Sequence, residues 1–230
     1  MTANPEQLVF DLPHRPAQDA EDFLVSRSNE AAVAAIDAWP GWVQRALAVV
    51  GPAGSGKSHL VSVWRKRAGG ACLPAAELTE DAVERAVADH ALAVEDIDCG
   101  IGDERVLFHL LNLARETRLF LLLTARSAPG EMAIGLSDLR SRLRALPLVR
   151  IEPPDEALLR ALLVKLFADR QLAVEPHVVA YLALHMERSA DAARRVVAEM
   201  DRLALTGHRR MTRALAAEAL QGIEARAPED

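Results

Sequence analysis

"ALAVVGPAGSGKSHL", residues 46–60, is the stretch from which the fold is read. Ala46 to Val50 is a short apolar run closed by glycine, the pattern of a strand buried on both faces of a parallel sheet. It runs directly into G-x-x-x-x-G-K-[ST], spelled Gly51, Pro52, Ala53, Gly54, Ser55, Gly56, Lys57 and Ser58, and then into a helical pattern reaching about Arg67. A strand, a glycine-rich loop and a helix in that order make a phosphate cradle. The glycines let backbone N–H groups turn toward one point, and the helix N-terminus adds partial positive charge. Lys57 is placed to reach the outer phosphates and Ser58 to offer its hydroxyl to Mg²⁺.

Such a loop needs an acidic partner at the end of a neighbouring strand, to hold the metal. "ALAVEDID" (91–98) supplies it: Ala91 to Val94 reads as another buried strand, and Glu95 and Asp96 emerge where it leaves the core. Which of the two faces the metal stays open, and Asp96 or Asp98 could instead cap the helix that follows. "LFLLLT" (119–124) is a further strand with Thr124 at its tip, where it would touch the γ-phosphate or attacking water, or simply end the strand. "DLRSRLR" (138–144) carries Arg140 and Arg142 on a helix, either as a solvated basic face or as an arginine offered to a neighbour's nucleotide.

The remaining chain fits the same plan. From Asp22 it turns helical, with Ser28 or Asn29 as cap, Ala32, Val33, Ile36 and Trp39 at helical spacing, and Pro40-Gly41 as the stop. "ACLPA" is a second strand, 81–90 and 104–116 read as helices, and "PLVRIEPP" ends the alternating region. Strands alternating with helices of this length predict a parallel sheet covered on both faces. After Pro153-Pro154 only helical patterns follow, near 156–170, 176–186, 190–205 and 213–223. The expected organisation is a tail over 1–19, an α/β nucleotide-binding base over 20–152, a small all-helical lid over 153–226 and a short tail over 227–230. In the lid, "RSADAARRV" offers Arg188, Arg194 and Arg195 to close over a nucleotide, or to salt-bridge along the helix surface.

Composition excludes several classes. At 230 residues the chain can bury a real core, and its net charge of −6 argues against indiscriminate nucleic-acid binding. Apolar runs such as Leu119–Leu123 fall far short of the ~20 residues a membrane helix needs, and the N-terminus lacks the pattern of a secretory signal. Cys72 and Cys99 stand apart without metal-ligand spacing, as in a cytoplasmic protein with reduced thiols. None of the seven histidines pairs at metal spacing; His59 simply follows the phosphate loop.

Together these segments resemble the AAA+ ATPase domain of the bacterial replication initiator DnaA. The resemblance spans about residues 22–223 and includes "LFHLLNLARETRLFLLLTARSAP" (107–129), "LRSRL" (139–143) and "DFLVSRSNEAAVAAI" (22–36). The last is similar to the family's segment beside the adenine, which brings Asn29 to the nucleotide. Because the chain ends without the family's helix-turn-helix module, it looks like the regulatory inactivator of DnaA, the Hda family. That resemblance implies an AAA+ P-loop fold, ADP or ATP with Mg²⁺ as cofactors, and a cytoplasmic negative regulator of replication initiation.

The resemblance also implies roles for residues. Arg142 matches the arginine finger, directed at ATP in DnaA, and Thr124 matches sensor I. At the sensor II position Asp191 stands in place of arginine, with Arg188 and Arg195 one turn to either side. With the Glu95-Asp96 order, this fits a subunit that completes a partner's active site better than an efficient ATPase. "EQLVFDLPHRP" (6–16) is similar to the family's hexapeptide for the DNA polymerase III β sliding clamp, through Gln7, Leu8, Phe10 and Leu12. An extended peptide of this kind seats Phe10 and Leu12 in an apolar groove while Gln7 meets a polar rim. Two other readings compete: a helicase-loader-like or initiator-like AAA+ protein acting directly on DNA, and a self-sufficient P-loop kinase. For the kinase, neither a substrate pocket nor a catalytic base is evident.

Overall fold

The structure, a computed structural model, describes residues 24–207 and 209–226. They fall into two compact units: residues 29–152, and a helical unit from Pro153 onward with which residues 24–28 are grouped.

In the first unit, α1 (Glu30–Asp37) precedes β1 (Ala46–Val50), α2 (Lys57–Ala68), β2 (Ala71–Pro74), α3 (Asp81–Asp89) and β3 (Ala91–Glu95). Then come α4 (Glu104–Glu116), β4 (Phe120–Ala125), α5 (Ser137–Arg144) and β5 (Leu148–Arg150). The five strands are all parallel, in the order β2-β3-β4-β1-β5. β1 therefore lies inside the sheet, and all five of its residues are buried, as an uninterrupted apolar run requires.

Strand side chains of one parity, among them Val50, Leu92, Val94, Leu121 and Leu123, join Leu107, Leu110, Leu139 and Leu143 of α4 and α5 in one core. Leu47, Val49 and Leu122, of the other parity, are buried too, and α2 packs against β3 and β4 through its buried Leu60, Val61 and Trp64. Trp42 stacks on Trp64 at 5.6 Å between centroids and donates its indole N–H to the Ala35 carbonyl at 2.7 Å.

Asn29, one of the two expected caps, sets the start of α1. Asn29 occupies the N-cap with non-helical φ of −132°, so the helix begins at Glu30, and it ends at Asp37, before Trp39. The cap of α4 is Asp103, whose Oδ1 accepts from the Arg105 and Val106 N–H groups at 2.8 and 3.3 Å. Asp96 and Asp98 lie outside that cap.

The helical unit contains α6 (Glu156–Asp169), α7 (Pro176–His185), α8 (Ala190–Gly207) and α9 (Arg213–Glu224). Leu159, Leu163, Phe167, Leu182, Val197 and Leu215 are among its buried core residues. Asp155, Ser189 and Thr212 cap α6, α8 and α9 through side-chain oxygens. Among the described residues no helix is long and apolar enough to cross a membrane.

Candidate functional site

In a parallel sheet every strand ends on the same side, so the loops after β1, β3 and β4 meet there. Register fixes their neighbours: Val50 stands beside Ala125, and Val94 beside Leu123.

Gly51–Gly56 bridge β1 and α2. Gly54 and Gly56 have φ of +68° and +100°, a region that disfavours side chains. Gly51 is limited by space instead: a Cβ there would lie 2.8 Å from the Ile151 carbonyl oxygen and 2.8 Å from Ser55 Oγ. Its N–H donates to the Ala125 carbonyl at 3.1 Å, tying the loop to β4. Pro52 and Ala53 are exposed, and Ser55 Oγ is buried without a hydrogen-bond partner. Lys57 and Ser58 open α2, with Ser58 exposed and His59 half-buried behind it.

Lys57 folds back over the loop. Only 7% exposed, it donates its ammonium protons to the carbonyls of Gly51 and Pro52 at 2.7 and 2.9 Å. Burial pulls its pKa below the usual lysine value. Asp96 leads the carboxylates that oppose this, followed by Asp98 and then Glu95, while Arg126 adds to the lowering. Three carboxylates and a guanidinium thus act electrostatically on one ammonium.

The two acidic candidates are held differently. Glu95 Oε2 accepts the Cys72 thiol proton at 3.2 Å, which draws it toward β2; burial and Glu95 together push that thiol up to about 12. Asp96 takes a left-handed backbone with φ of +55°, and its N–H donates to Thr124 Oγ1 at 3.0 Å. Asp96, at this kink, is also the foremost carboxylate acting on Lys57. Thr124 itself is buried, 1% exposed, so its hydroxyl accepts from the acidic strand end and keeps its own proton to donate. Asp98 Oδ1 accepts the Arg126 N–H at 3.0 Å and so links the β3 and β4 ends.

Several of these contacts were not foreseen from sequence. Arg126 is exposed and follows Ala125, whose carbonyl holds the phosphate loop; its place two residues past Thr124 was the available signal. Nothing in the pattern pointed to Cys72.

The other expected residues sit on other elements. Asn29 is buried at the start of α1. In the helical unit Arg195 pairs with Glu187 at 3.3 Å and with Asp191 at 3.6 Å, while Arg188 and Arg194 are exposed. Half-buried Arg142 lies in the last turn of α5, in a cleft with Gln44, Ala46 and Leu146, at the strand starts and not the strand ends. Gln7, Leu8, Phe10 and Leu12 lie outside the described residues.

The cradle fits the phosphates of a nucleotide. It combines positive-φ glycines, a position too tight for a Cβ, an orphaned buried hydroxyl and a lysine whose protons are held by loop carbonyls. Among the described residues no cluster of three or more His, Cys, Asp or Glu is placed to hold a metal by itself. A metal here would therefore draw on phosphate oxygens beside Ser58 and Asp96.

No protein-family model matches the sequence, and no curated protein matches it. Solved structures share its fold. Domain III of the Thermotoga maritima replication initiation protein DnaA superposes with a TM-score of 0.72 at 18% identity, covering 87% of this chain and 94% of that one. AMPPCP-bound DnaA from Aquifex aeolicus gives 0.65 at 18%, over 88% of this chain and 67% of that one. A Thermotoga maritima RuvB variant gives 0.66 at 14%, over 86% and 69%. The chain has the AAA+ P-loop fold of DnaA domain III.

Proposed function

We propose that this chain holds ADP or ATP with Mg²⁺ in the Gly51–Ser58 cradle and uses Arg142 to promote hydrolysis of ATP held by DnaA, limiting replication initiation. In this reading Gly51, Pro52, Ala53, Gly54, Ser55, Gly56 and Lys57 wrap the phosphates. Ser58 and Asp96 serve the metal, and Glu95, tied to Cys72, stands behind Asp96. Gln7, Leu8, Phe10 and Leu12 tether the protein to the β sliding clamp. Nucleotide binding is further supported by the shared fold, since one fold neighbour is described as bound to AMPPCP.

The observation that carries the trans reading is the position of Arg142. Its cleft includes Ala46, the first residue of β1, whereas the phosphate loop follows Val50, the last. Four steps of about 3.3 Å put some 13 Å of strand between those levels. Arg142 thus lies away from its own loop, which supports a role toward the phosphates of another chain. A guanidinium supplied in trans neutralises the charge that builds on the transferring phosphoryl group, an effect of about 10³–10⁵ in rate in GTPases. Arg142→Ala is expected to keep nucleotide and clamp binding and to lose stimulation of DnaA ATPase. Undiminished stimulation would remove the finger from the reading, and clamp capture unaffected by Gln7→Ala would remove the tether.

A further inference from the structure

The cleft at the strand starts holds a second cation. It has a volume of about 130 Å³, and besides Arg142 it is lined by Arg115, with apolar walls from Ala46, Leu111 and Leu146. Arg115 lies in the last turn of α4 and Arg142 in the last turn of α5. These helices share a core through Leu110, Ala114, Leu139 and Leu143. Helix pairing therefore brings the two guanidiniums, 27 positions apart in the chain, to one opening.

Neither guanidinium has a hydrogen bond or ion pair among the described residues, and no acidic side chain lines the cleft. Some arginines are engaged, such as Arg67 with Asp37, Arg160 with Glu156, Arg195 with Glu187 and Arg202 with Glu199. Others, such as Arg188 and Arg194, are as free among the described residues as this pair, so what sets Arg115 and Arg142 apart is the cleft they share. The two helix C-termini favour cations, each by about 0.3–1 kcal/mol, which accounts for tolerance of positive charge at either position. It does not account for two like charges in one cleft beside apolar walls, where they repel and their field is focused. An anion entering the cleft would relieve that repulsion. Planar guanidinium forks suit phosphate oxygens, with more than one donor per group.

We propose that Arg115 acts together with Arg142 as a paired-cation site for the terminal phosphate of a nucleotide bound in another subunit. This rests on the trans reading of Arg142 and adds a second residue to it. The second charge adds to the positive potential at the phosphate oxygens that gain charge during transfer.

The test uses the full chain with ATP-loaded DnaA, following stimulated hydrolysis against the concentration of unaltered chain, Arg115→Ala, Arg115→Lys and Arg142→Ala. Arg115→Ala is expected to lower the maximal stimulated rate about tenfold or more, with the half-saturating concentration changed less than about twofold. Arg115→Lys should recover a substantial part, because it returns the charge but not the fork. Arg115 is exposed, so thermal unfolding should match across the set. An unchanged maximal rate with Arg115→Ala, while Arg142→Ala abolishes stimulation, overturns this inference alone. A change confined to the half-saturating concentration also overturns it, marking Arg115 as a docking contact for an acidic protein surface. Full stimulation by Arg142→Ala, or none by the unaltered chain, overturns the underlying reading.

Discussion

Replacing Thr124 with valine removes one hydroxyl and leaves the shape of a buried side chain nearly unchanged. In the native fold that hydroxyl accepts the Asp96 N–H at 3.0 Å. Valine leaves the amide without this acceptor, and a stranded donor costs about 1–3 kcal/mol. The lower half of that range applies, because the bond is only part-buried and Asp96 keeps a second anchor: its carbonyl accepts the Cys99 N–H at 2.9 Å. A loss of about 1.5 kcal/mol in a chain of this size lowers the unfolding temperature by roughly 3–6 °C. The functional consequence follows from the backbone, since the left-handed turn that aims Asp96 would relax. Calorimetric titration of ATP with and without Mg²⁺ should show the Mg²⁺-dependent part of the affinity falling in Thr124→Val. Binding without metal should persist, and Thr124→Ser should behave as the native chain. A valine variant that melts at the native temperature and keeps full Mg²⁺ dependence would refute the idea that Thr124 sets the acidic strand end.

Two further perturbations probe other parts of the molecule. Gly51→Ala drives a Cβ to 2.8 Å from the Ile151 carbonyl and from Ser55 Oγ; about 1–3 kcal/mol of destabilisation and loss of ADP-induced thermal stabilisation are expected by calorimetry. Glu199, hydrogen-bonded first to Arg202 and then to Arg226, has its carboxyl held down at about 2, against 4.5 when free. Its depressed value means the stabilisation is complete above pH 4.5 and is lost as pH falls toward 2. Urea unfolding of Glu199→Gln should therefore show a deficit of about 1 kcal/mol at pH 7, after allowing for solvent screening of its exposed arginine partners, and almost none near pH 2.

What could be read from sequence follows a simple division. Val50-Gly51 and Gly56-Lys57 announce their own structure, because burial, turn and helix start are local properties of those residues. Ala91–Val94 and Leu121–Leu123 are legible for the same reason. The place of β1 between β4 and β5 is not local, nor is the reach of Glu104 across 31 positions to accept the Gly135 N–H at 2.9 Å. The phosphate loop could be named residue by residue, yet the support beneath it could not. Cys72 on Glu95 and Thr124 on the Asp96 amide arise only once neighbouring strands are in register. Arg115 is the clearest case: by periodicity it is one more polar residue at a helix end, and only the packing of α4 on α5 brings it to Arg142.

With the cradle at one end of β1 and the arginine cleft at the other, the subunit has a direction. A partner reached through the cleft and a partner reached through the cradle meet different surfaces, so no such pairing can be a two-fold handshake. Copies joined in this way would stack head to tail, closing into a ring or growing without limit. A chain of this design stays a single-step device only while something other than its own kind occupies one of the two ends.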